Sequence, residues 1–63
     1  MDVEVTQIIR YVVDRRVCET EIVACAKTVY EARKKAEKAA EAFTRSASIN
    51  VLFTYTKRIV VGG

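Results

Sequence analysis

The amino-acid sequence predicts an α+β fold of order ββαβ: a three-stranded antiparallel sheet of strand order 2-1-3 with one helix packed on one face. Three observations carry that expectation. A capped, alanine-rich segment at 28–43 places its apolar residues at helical spacing. Three segments around it, 3–13, 17–27 and 48–58, alternate apolar and polar residues with a period of two and are rich in β-branched and aromatic side chains. The chain has no proline and its two glycines are Gly62 and Gly63, so nothing interrupts those segments or marks a linker. Its 63 residues are read as one small domain, 1–63.

The first strand places Val3, Val5, Ile9, Tyr11 and Val13 on one face. It also carries Ile8 and Val12 on the other face, which suits a central position. The second strand gathers Cys18, Thr20, Ile22, Ala24 and Ala26 on its core face. A two-residue turn at Arg15-Arg16 would need positive φ at two arginines. A four-residue turn, Asp14 to Val17, with Asp first in a type I geometry, is the expectation instead. That register sets Glu4 opposite Lys27, Ile8 opposite Val23 and Arg10 opposite Glu21 on the outward face, two ion pairs and one apolar pair.

The helix opens with Thr28 and Glu31 at capping-box spacing. Alanine, lysine, glutamate and arginine, all strong helix formers, fill its interior. Val29, Ala32, Ala36, Ala39, Ala40 and Phe43 form one apolar stripe, with Lys34, Lys38, Glu41 and Arg45 opposite. Glu31–Lys35, Arg33–Glu37 and Glu41–Arg45 are i,i+4 pairs, each worth about 0.2–0.5 kcal/mol. A stripe of alanines has little bulk, so this helix must lie close on a flat surface such as a sheet.

The third strand places Ile49, Val51, Phe53 and Tyr55 toward the helix. Its alternation breaks at Lys57, where the strand ends or takes a bulge. A right-handed crossover carries it past the first strand, which gives the order 2-1-3.

With one helix on one face, the other face is expected to be open. It presents Ile8, Arg10, Val12, Val23 and Leu52, four apolar residues and an arginine, as the candidate partner-binding surface. A chain of this size buries only about 60% of the surface that its unfolded form exposes, which favours stabilisation by a partner. The expected partner is a second copy, in a homodimer, or another protein.

Other classes have weaker signals. The sequence lacks histidine, and Cys18 and Cys25, seven positions apart on one strand, face opposite ways. No zinc set, disulfide, cofactor or catalytic site is therefore expected. Eleven bases against eight acids give a net charge of +3, so nucleic acid is kept as an alternative partner, with Arg15, Arg16, Lys34, Lys35 and Lys38 as its candidate contacts. The acidic start "MDVEV" is unlike an export signal and no apolar run approaches membrane-span length, which points to the cytoplasm. The "KTVYEA" leading into the helix and the terminal "VVGG" resemble small sulfur carriers and ubiquitin-like modifiers. That resemblance implies a β-grasp fold and a Gly63 carboxylate activated on a mobile tail. A β-grasp domain has a second strand pair after its helix, whereas the 20 residues after Phe43 accommodate one strand.

Overall fold

A computed structural model describes residues 2–62. Strand β1 spans Asp2–Val13, β2 Arg16–Ala26, helix α1 Val29–Ala47 and β3 Asn50–Gly62. The strands form one antiparallel sheet in the order β2-β1-β3. One strand follows α1 where the β-grasp resemblance implies a pair. Gly62 ends β3 opposite Asp2, and Gly63 lies outside the described residues.

The first hairpin has the expected faces but a different register. Its turn is Asp14-Arg15, with φ of 50° and 66°, and Val13 pairs directly with Arg16. Two positive φ values make a turn whose twist matches the flanking strands. Asp tolerates this region better than most residues, while Arg15 bears a steric cost. Relative to the four-residue turn, β2 is slipped by two positions. Arg10 therefore meets Glu19, at 2.6 Å, and Ile8 rather than Arg10 stands opposite Glu21. Val23 faces Thr6, and Lys27 lies beyond the end of β2.

The Glu31 N–H donates to Thr28 Oγ1 at 3.1 Å, as a capping residue should accept. The helix runs past the expected end at Phe43 to Ala47 and stops at Ser48, which adopts a left-handed φ of 52°. Ala32, Ala36 and Ala40 are buried, four residues apart, whereas Ala39 is exposed. The buried ridge is thus narrower than the sequence stripe. Ala32 and Ala36 pack with Val3 and Val5, flanked by Ala24, Ala26 and Val29. At the other end Tyr11 meets Phe43 edge-on at 5.7 Å, and its hydroxyl shares a 2.9 Å hydrogen bond with Thr20 Oγ1.

The helix lies over β1 and β2 and scarcely reaches β3. The result is a long, thin molecule, 42 × 18 × 11 Å. Its radius of gyration, 12.4 Å, exceeds the roughly 10.6 Å of a compact chain of this length.

Strand β3 departs most from expectation. Two extra residues, Leu52 and Lys57, interrupt its pairing with β1. The alternation does break at Lys57, and the strand continues through it as a bulge. The bulge at Leu52 reverses the facing of the residues that follow. Phe53 pairs with Arg10 and Tyr55 with Ile8, so both aromatics lie on the helix-free face. Thr54 and Thr56 take the helix side, opposite Ile9 and Gln7. Thr56 Oγ1 donates to Gln7 Oε1 at 3.0 Å, which satisfies an amide oxygen that the sheet nearly buries.

Candidate interaction surface

The helix-free face is built from alternate residues of three strands. Strand β1 contributes Glu4, Thr6, Ile8, Arg10 and Val12; β2 contributes Val17, Glu19, Glu21, Val23 and Cys25; β3 contributes Phe53, Tyr55, Arg58 and Val60. The centre of this face is not bare. Ile8 is 2% exposed and Thr6 1%. Long side chains lie over them. Lys57 Nζ reaches across the central strand to Glu21 Oε1 at 2.8 Å, and the Arg10 guanidinium sits 5.8 Å from the centre of the Phe53 ring while bonding Glu19. The Lys57 hydrogen bond, and then its charge, holds the Glu21 carboxyl below its ordinary pKa of 4.5; Arg58 adds a smaller pull in the same direction.

The five expected contact residues therefore fare differently. Ile8 is enclosed by its own chain. Arg10 and Val12 are half-buried, and Val23 and Leu52 are exposed. Val23 and Leu52 sit on opposite flanks of β1, so the five do not form the continuous apolar strip that alternation suggested.

Most of the exposed apolar side chains lie on β3 instead, with Val17 and Val23 exposed on β2. Val51, Leu52, Phe53, Tyr55, Ile59, Val60 and Val61 are each 40–60% exposed. Phe53, Tyr55 and Val60 lie on the helix-free side. Val51, Ile59 and Val61 lie on the helix side, where α1 fails to cover them. An open cleft of about 420 Å³ marks the uncovered part of that side, lined by Gln7, Glu37, Ala40, Glu41, Thr44, Val51 and Thr54. Both flanks of one edge strand are thus apolar and uncovered. The other edge is better guarded. Lys35 Nζ donates to the Cys25 carbonyl of β2 at 3.1 Å, and Glu19 and Glu21 put charge along that strand.

Sequence reasoning missed Val51, Phe53, Tyr55, Ile59, Val60 and Val61. The one available signal was the off-beat Lys57; Leu52 breaks no apolar pattern and gave none.

The basic candidates fall in two separate groups, Arg15 and Arg16 at the hairpin and Lys34, Lys35 and Lys38 on α1. Arg15 and Arg16 lie at the hairpin tip, about 30 Å of extended strand from Cys25, where Lys35 docks. Lys34 lies over the Tyr30 ring at 5.1 Å and Lys38 is exposed on the outer helix face. On the sheet face, Arg10 pairs with Glu19 and Lys57 with Glu21. Cys18 and Cys25 are free thiols on opposite faces of β2. Among the described residues, no helix is long and apolar enough to cross a membrane.

No family model matches the chain, and neither does any curated protein or solved structure. The geometry of this small α+β unit is therefore the sole basis for a functional reading.

Proposed function

We propose that this chain is a non-enzymatic protein-docking module whose contact surface is built on β3. One observation carries the reading: seven large apolar side chains stand exposed on an edge strand that is uncovered on both flanks. Exposed apolar residues scattered singly need no explanation, but groups of them at both ends of one edge strand, Val51 to Phe53 and Ile59 to Val61, do. An unpaired strand also offers backbone donors and acceptors to a partner. On the sheet face the charges favour a protein partner over nucleic acid: phosphate binding draws on several uncompensated bases on one surface, whereas Arg10 and Lys57 there are already paired with glutamates. The displaced titration of Glu21 arises from an exposed ion pair, not from a pocket suited to proton transfer.

Co-purification of the tagged chain from its native host, compared with Val51→Lys/Ile59→Lys, tests the reading. The expected result is a stoichiometric companion, either untagged chain or another protein, that the double variant loses. If the variant retains the same companions as the wild type, β3 is not the contact surface. A companion nucleic acid that dissociates at high salt would favour the alternative partner.

A further inference from the structure

The occupant of the β3 edge can be named from the spacing of its two bulges. We infer that β3 pairs antiparallel with β3 of a second copy, about a two-fold axis passing through Tyr55. This rests on the reading of β3 as the docking edge and adds the identity and register of what docks there.

A two-fold pairing matches each residue with the one equally far on the other side of the axis, and directly opposite residues must point to the same face. A single bulge defeats such matching, because facing reverses on one side only. Two bulges restore it only if they are equidistant from the axis. That is the arrangement here. Tyr55 lies on the helix-free side; Thr54 and Thr56, on either side of it, face the helix side. Phe53 with its neighbour Leu52, and Arg58 with its neighbour Lys57, are the two bulge pairs. Beyond them, Val51 and Ile59 both face the helix side, and Asn50 and Val60 both face away. The facing pattern of β3 therefore reads the same in both directions from Tyr55. Bulges usually blunt an edge against pairing. In this register each bulge meets the other chain's bulge, and the ladder continues on either side.

The contacts that follow are of favourable kinds. On the helix side Val51 meets Ile59 of the second copy and Thr54 meets its Thr56, each pair occurring twice. β-branched pairs and paired threonines are among the stabilising cross-strand combinations. On the other side the two Tyr55 rings face one another. Phe53 and Tyr55 already lie 5.9 Å apart within one chain, so four rings line up across the seam. Phe53 also comes opposite Lys57 of the second copy.

The chain exposes 4616 Å², about 500 Å² more than a compact monomer of 7.1 kDa, and a specific dimer would hide at least roughly 500 Å² on each copy. The assembly is a six-stranded sheet with both helices on one side.

Site-directed cross-linking tests the register. In a Cys18→Ala/Cys25→Ala background, Tyr55→Cys puts two thiols directly opposite, with Cα atoms about 4.5–5.5 Å apart and within reach of a disulfide. Mild oxidation should convert nearly all of it to dimer. Thr54→Cys should convert poorly, since its opposite residue is Thr56, and Thr54→Cys/Thr56→Cys should convert fully. A second pair of variants avoids cysteine chemistry. Val51→Lys/Ile59→Glu sets opposite charges face to face in this register and should dimerise at least tenfold more tightly in sedimentation equilibrium than Val51→Lys/Ile59→Lys, which sets like charges there. Equal cross-linking of Tyr55→Cys and Thr54→Cys, or equal dimerisation of the two Val51/Ile59 double variants, would overturn the register. A wild-type chain that sediments as a monomer at tens of micromolar would overturn the dimer. If that monomer still loses another protein through Val51→Lys/Ile59→Lys, the docking reading survives without it; if it loses nothing, both fail.

Discussion

The hairpin turn offers a test in which two accounts of the chain predict opposite signs. In the structure Arg15 occupies the left-handed region, with φ of 66°. That conformation costs a side-chain-bearing residue about 1–2 kcal/mol. Arg15→Gly removes the cost but adds about 0.5–1 kcal/mol of unfolded-chain entropy. The net expectation is a stabilisation of about 0.5–1 kcal/mol. With a urea m-value near 1 kcal/mol/M, suited to a chain this small, the midpoint rises by about 0.5–1 M. Urea titration followed by circular dichroism measures this, at one fixed protein concentration because self-association would couple to unfolding. In a four-residue turn from Asp14 to Val17, Arg15 would have an ordinary negative φ. Glycine there would only loosen the chain and lower the midpoint. A fall in the midpoint at unchanged m would therefore refute the two-residue turn, and with it the pairing of Arg10 with Glu19.

Two further outcomes follow from the packing and the ion pair. Ala36→Leu forces bulk beneath a helix that rests on Val3 and Val5, and should cost about 1–3 kcal/mol in thermal or urea unfolding. Ala39→Leu, on an exposed position of the same helix, should change stability by less than about 0.5 kcal/mol; equal losses would mean that the helix is rotated. Because Lys57 lowers the folded-state pKa of Glu21, the pair stabilises the fold fully above the ordinary value of 4.5, and that contribution is lost as the pH falls through the lower folded value. Lys57→Met should raise the Glu21 midpoint toward 4.5 in an NMR titration of its carboxyl. An unmoved midpoint would show that the pair does not persist in solution.

The parts of the fold that were legible in the sequence are those that repeat. The period of two in β1 and β2 and the alanine spacing in α1 assign faces without reference to register. The strand order followed from the crossover and from the double-sided apolar character of β1. Register was not legible, because β2 offers glutamates at both 19 and 21. A slip of two positions preserves every face and still gives Arg10 an acidic partner, so neither the hydrophobic nor the charge pattern could detect it. The facing of β3 was illegible for a different reason. A bulge adds one residue without changing composition, and Leu52 reads as a normal strand residue until its pairing is seen. The enclosure of Ile8 is likewise a tertiary effect, arising because Lys57 and Arg10 lie across the sheet instead of projecting from it. The expected surface was therefore centred on β1, whereas most of the exposed apolar side chains lie on β3.

The pairing of Asp2 with Gly62 has a kinetic consequence. The hairpin and α1 can assemble from near neighbours, but β3 must find β1 from the far end of the chain. Closing so large a loop is slow, so the last strand docks late onto an otherwise formed ββα unit. In that interval β1 has a vacant side, and a β3 segment from any nearby molecule fits it as well as the chain's own. Concentration during folding, and not only at equilibrium, then decides which molecule fills the vacancy, and strand exchange between chains becomes the characteristic error of this topology.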